Sequence, residues 1–146
     1  FSWKADSLLA GADVRQVDTE DAVVRVLLAF DGDHGLLSPR TGMMFDLMQG
    51  LTGETPPFAT LMYVWDSRAE VDTVVISKRS DRIRKIVLES GPAHLGQWRS
   101  YERDVRADYR RAFGEDPGAL IGMAVMTDSD NTASQAEAWY GEIRFR

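Results

Sequence analysis

Ala22-Val23-Val24-Arg25-Val26-Leu27-Leu28-Ala29-Phe30 is a run rich in Val and Leu whose only charge is Arg25. Its length and β-branched content read as a buried strand, and it falls far short of the roughly 18 apolar residues of a membrane span. Asp31-Gly32-Asp33-His34-Gly35 closes it with strong turn chemistry. Outward from this run, alternation remains the dominant signal. Ala59–Asp66 (ATLMYVWD) forms a second strand, set off by Pro56-Pro57. Residues 72–78 and Ile83–Ser90 predict a hairpin that turns at 79–82. Residues 120–127 and 137–145 predict a final pair, joined by the polar loop Asp128-Ser129-Asp130-Asn131-Thr132. At the other end, Phe1-Ser2-Trp3-Lys4-Ala5-Asp6 reads as an alternating strand already under way. The expectation is therefore a processed or trimmed chain that lacks N-terminal sequence of its precursor.

Two segments break the pattern. Residues 103–113 (RDVRADYRRAF) place Val105, Tyr109 and Phe113 four apart, which makes one apolar stripe on a short helix with an arginine-rich outer face. Gly114 and Pro117 end it. Residues 43–51 (MMFDLMQGL) are weakly helical between glycines and read as either a loop-borne helix or a flap. A parallel α/β fold would need a helix between most strands, and those helices are missing. The expected fold is mostly β: an antiparallel β-sandwich of jelly-roll type with one or two short helices, in a single domain over residues 1–146.

Composition narrows the chemistry. With no cysteine, disulfides, thiolate zinc sites and a cysteine nucleophile are all excluded. His34 and His94 are the only histidines, too few for a three-histidine metal site. A net charge of −6 argues against nucleic acid and against anionic membrane surfaces. That charge is unevenly placed: residues 78–111 hold ten bases and five acids, whereas 115–142 hold six acids and no base. The division reads as two complementary solvated faces, or as a basic groove for an anionic ligand.

Several short motifs occur in a recognisable order: Tyr63-Val64-Trp65, Glu89-Ser90-Gly91-Pro92, Leu95-Gly96-Gln97-Trp98, Glu102-Arg103-Asp104-Val105 and Asp108-Tyr109-Arg110. Phe113-Gly114-Glu115, the stretch from Met126 to Thr132, and Trp139-Tyr140-Gly141-Glu142-Ile143 complete the series. Together they resemble the bacterial family catalogued as domain of unknown function 3047. Trp3-Lys4-Ala5-Asp6 and the pair Glu20-Asp21 with Arg25 fit the same pattern, although family members often carry Asp where this chain has Glu20 and Glu142. The resemblance implies an exported protein, periplasmic or extracellular, and no established activity. Its strand order resembles the galactose-binding-like jelly rolls, an analogy at the level of fold alone.

Four residues are candidates for a ligand-binding site: Arg25, Tyr63, Trp65 and Glu89. Tyr63 and Trp65 lie two apart and so share a strand face. Sugar rings stack on exposed aromatic faces, so with Arg25 on a neighbouring strand they would form a saccharide platform. The plain alternative is that the aromatics fill the core, and that Arg25 closes a framework salt bridge with Glu89, Asp21 or Asp6. In the polar loop, Asp128, Asp130 and Asn131 are candidate metal ligands, because alternating oxygen side chains suit calcium. Asp and Asn are also ordinary turn residues that bond their own backbone. Arg103, Arg106, Arg110 and Arg111, interleaved with Asp104 and Asp108, read as a solvated, salt-bridged helix face.

Three functions follow as expectations. The first is a non-catalytic binding module of the cell envelope, with a saccharide or other polar polymer as ligand. The second is a glycan-active enzyme using Glu89 and another carboxylate, Asp104 or Asp128. The third is a structural subunit of an envelope assembly with a protein partner, which an exposed apolar patch over residues 43–51 would favour.

Overall fold

In the computed structural model, residues 1–6, 22, 24–127 and 137–145 are described. Their strands are β1 (Ser2–Ala5), β2 (Val24–Phe30), β3 (Ala59–Asp66), β4 (Val74–Ile76), β5 (Ile83–Ser90), β6 (Arg99–Ser100), β7 (Leu120–Met126) and β8 (Ala138–Tyr140). Two helices join them, α1 (Pro39–Thr52) and α2 (Val105–Phe113). The strands form two sheets, one of five strands in the order β4-β5-β3-β2-β7 and one of three in the order β6-β1-β8. The fold is mostly β with two sheets and two helices, as a sandwich requires.

The larger sheet is mixed rather than antiparallel, because β3 and β5 run parallel. The chain leaves β3, passes beyond the place of β5 to lay down β4, and turns back into the gap. Asp66 starts that excursion: its carboxylate accepts the N–H groups of Arg68 at 2.8 Å and Ala69 at 2.5 Å. The expected hairpin of β4 and β5 is present. The expected final pair is not: β7 pairs with β2, and β8 pairs with β1 in the other sheet. Strand β2 is apolar apart from Arg25 and takes a neighbour at each edge, with Val26 opposite Val125 and Leu28 opposite Met123.

One face of the five-stranded sheet carries Val24, Val26, Leu28 and Phe30 of β2 with Leu61, Tyr63 and Trp65 of β3. On it rest the small sheet, through Trp3 and Ala5, and α2, through Tyr109, Ala112 and Phe113. The ring centroids of Trp3 and Trp65 lie 6.4 Å apart, and those of Phe30 and Tyr109 4.8 Å. The reverse face gathers Met62, Val64, Val75 and Val87 with Ala22 and Ala69.

Helix α2 begins two residues after the expected start at 103, on Val105, the first residue of its apolar stripe. Asp104 caps it, accepting the Ala107 N–H at 3.1 Å, and Gly114 closes it in the left-handed conformation at φ 70°. Residues 43–51 are helical, as part of the longer α1, which Ser38 caps and Pro39 opens. This helix is anchored through Thr41 and Phe45, the only two of its residues that are buried. The Thr41 hydroxyl donates to Asp81 at 2.7 Å, and the Phe45 ring lies 5.7 Å from His34.

Candidate functional site

The small sheet and α2 sit side by side on the first face and leave a cleft between them. This groove has a volume of about 910 Å³. Its floor is Val26 and Leu28 of β2 with Tyr63 of β3. One wall is the chain entering α2, including Arg103 and Arg106, and the other is β1 with the segment that follows β8, including Arg144 and Phe145.

A polar triad of buried Tyr63 and Asp108 with half-buried Arg103 holds the groove in shape. Asp108 faces inward from α2 and accepts the Tyr63 hydroxyl at 2.6 Å. Arg103 grips the same carboxylate through two nitrogens, at 3.0 and 2.8 Å, in the bidentate geometry that makes arginine pairs strong. Burial, then the bond to Asp108, pushes the Tyr63 hydroxyl well above the ordinary tyrosine range, so it stays a donor. The Asp108 hydrogen bonds raise Arg103 further above its already high value. The expected solvated helix face is thus corrected at Asp108. Residue 108 lies three past Val105 and one before Tyr109, which places it on the inward stripe.

The groove rim is balanced in charge. Glu102, Asp104 and Glu142 stand among Arg103, Arg106 and Arg144. Glu142 and Arg144 pair at 2.7 Å, a contact that raises the Arg144 pKa. The Phe145 ring is about half exposed at the mouth.

A second polar cluster lies beside the groove and shares Tyr101 with it. Strand β5 slips by one residue opposite β3, so that Val64 faces Val87 but Trp65 faces Glu89. This bulge turns Glu89 onto the Trp65 face. There it accepts Arg99 at 2.6 Å, the Tyr101 hydroxyl, and His94 Nδ1 at 3.0 Å. Burial works to raise its pKa, but the hydrogen bonds from Tyr101, Arg99 and His94 outweigh it and hold the carboxyl below its ordinary value of 4.5. Tyr101 moves well above the tyrosine range, through burial first and then Glu89. His94, in the turn that follows β5, is therefore a partner of Glu89.

A depressed folded-state pKa gives Glu89 a definite pH signature. Its stabilisation is complete above the unfolded value near 4.5 and is lost as pH falls through the lower folded value. Glu89→Gln should cost about 2 kcal/mol at neutral pH, the scale of a hydrogen bond to a charged group. Urea titrations from pH 7 downward should show the gap to wild type constant at first, then narrowing below about 4.5. A gap that does not change with pH would contradict this assignment.

The four expected ligand residues do not come together. Register sets Arg25 opposite Val64 and Val26 opposite Tyr63, so Arg25 lies on the reverse face while Tyr63, Trp65 and Glu89 lie on the first. Arg25 is buried there, as is Lys85, and neither is without a partner. The Glu89–Arg25 pair is ruled out by the sheet between them. Tyr63 and Trp65 are each 1% exposed and offer no ring face to a sugar. Trp65 instead donates its indole N–H to the Gly91 carbonyl at 3.1 Å. The exposed tryptophan is Trp98, at 54%. Asp128, Asp130 and Asn131, and the pair Glu20-Asp21, lie outside the described residues. No described helix is long and apolar enough to cross a membrane.

The chain belongs to the family described as protein of unknown function (DUF3047), which it matches over residues 1–144. No curated protein and no solved structure matches it.

Proposed function

We propose that this family member is a non-catalytic binding module of the cell envelope, periplasmic or extracellular, whose ligand is a saccharide or other polar polymer held in the groove beside α2. The observation that supports this reading is the groove itself: an apolar floor of Val26 and Leu28 under a rim of three acids and three arginines. Paired carboxylates and guanidinium groups suit hydroxyl-rich ligands, which need acceptors and donors together. Phe145 supplies the exposed ring face that Tyr63 and Trp65 do not. This moves the ligand site from the sheet face to the cleft. A jelly roll of galactose-binding-like kind would suit the same role.

A glycan-cleaving enzyme with Glu89 as its acid is disfavoured. That carboxyl is held ionised by three donors and has no proton to give. A structural subunit of an envelope assembly is the second reading, favoured by α1, where Met43 is 73% and Leu51 75% exposed.

A glycan array, run with and without a calcium chelator, tests the proposal. Binding is expected, with a loss of about tenfold or more in Phe145→Ala, the scale of one stacking contact. Loss of binding on chelation would bring in Asp128, Asp130 and Asn131 as calcium ligands. An array without signal for the wild type would remove the saccharide reading and leave the assembly reading ahead.

A further inference from the structure

Strand β7 is, with β4, one of the two edge strands of the five-stranded sheet, and all seven of its residues are exposed. Its inner edge is bonded to β2, and among the described residues nothing pairs with its outer edge. An edge of this kind is normally protected by charge, proline or a covering element. Here residues 117–127 carry no charge in a chain of net charge −6. On the N-terminal side of this stretch the acids Glu115 and Asp116 are taken up by Arg82 and Arg110, and on its C-terminal side Asp128 follows Thr127. The outer edge of β7 is thus a seven-residue uncharged stretch whose hydrogen-bond ladder is open among the described residues.

Its side chains are also arranged for a copy of themselves. Met123 and Val125 stand beside Leu28 and Val26 on the first face, Leu120 stands opposite Phe30, and Ile121 is the extra residue at the register shift between Gly122 and Leu120. Gly122 and Ala124 turn to the reverse face beside Ala29 and Leu27. The large residues are 58%, 47% and 43% exposed at Ile121, Met123 and Val125. When two such strands run antiparallel about Met123, Ile121 falls opposite Val125, Met123 opposite Met123, and Gly122 opposite Ala124. Large meets large on one face and small meets small on the other. A foreign strand has no reason to share this symmetry.

We propose that β7 is the seam through which two copies of this chain join, edge to edge and antiparallel about a two-fold axis at Met123, so that their two five-stranded sheets become one. The contact continues the floor of each groove onto β7 through Val26 and Leu28. A homodimer of this kind places two grooves on the same face of one continuous sheet, as binding to a repeating polymer rewards.

Sedimentation equilibrium of the full chain tests the seam. The expected mass is twice the 16.3 kDa of one copy. Met123→Lys brings two ammonium groups together at the axis and should return the protein to single copies, with an unchanged far-UV spectrum because position 123 is exposed. Met43→Lys on α1 should leave the dimer intact. Because the chain has no cysteine, Met123→Cys should be joined to itself by a short thiol cross-linker. Ile121→Cys should be joined to Val125→Cys in a mixture but not to itself. A wild type that sediments as single copies from low micromolar to sub-millimolar concentration would overturn the proposal. So would a dimer that Met123→Lys leaves intact, or one that Met43→Lys abolishes.

Discussion

Replacing Trp3 with alanine is expected to lower the free energy of unfolding by about 4 kcal/mol, the range for deleting a buried tryptophan. Trp3 is wholly buried, and β1 sends only this side chain and Ala5 completely inside. It is the largest side chain of β1 through which the small sheet meets the large one. Around it stand Trp65, Phe1 and Tyr101, with ring centroids at 6.4, 5.4 and 5.3 Å. Rings pinned on three sides cannot collapse into the space a missing indole leaves, which is what makes such a cavity expensive. Backbone pairing adds to the effect, because β1 is the middle strand between β6 and β8. The check is the urea midpoint at unchanged slope, with Trp139→Ala as control. Trp139 is only half-buried, with Lys4 4.9 Å from its ring centroid, and should cost about 1 kcal/mol. Equal losses in the two variants would mean that the sheets do not pack through Trp3.

Asp108→Ala carries the second large expectation, a loss of about 3 kcal/mol. Its carboxylate satisfies the Tyr63 hydroxyl and both gripping nitrogens of Arg103. Alanine would leave a guanidinium and a buried phenol without their acceptor, and an uncompensated charge is costlier than an absent pair. For a chain of this length the loss corresponds to a fall in Tm of about 6–12 °C. Asp108→Ala combined with Arg103→Met should recover part of it, since removing both charges also removes the desolvation penalty. Failure of the double variant to recover any stability would make the pair's role one of shape alone. The same variants report on the groove, because Arg103 and Tyr63 line it.

How far the site was legible depends on the range of the interaction. Tyr63 and Trp65 share a face, as their spacing of two requires, but spacing does not tell which face is covered. The small sheet covers theirs, and an expected platform becomes core. The bulge at the end of β5 is invisible in IVLES, yet it turns Glu89 toward Tyr101, Arg99 and His94. Asp108 is the converse case. Its place on the stripe with Val105 and Tyr109 was readable, and the arginines around it made the solvated reading look sufficient. The groove itself has no sequence signature, because Val26 and Leu28, Arg106, and Phe145 come from three separate segments.

Alternation and helical spacing by themselves determined that VRVLLAF, ATLMYVWD and IRKIVLES are strands and that RDVRADYRRAF holds a helix with an inward stripe. They also placed Arg25 on the face opposite Val24 and Val26. These are local properties, set by where consecutive side chains point along one backbone. Only the tertiary structure decided that β7 pairs with β2 rather than with β8, and that β3 and β5 run parallel. It alone decided that the sheet separates Arg25 from Glu89. Those outcomes depend on which distant apolar faces bury one another, a free energy summed over the whole chain and written in no single stretch of it.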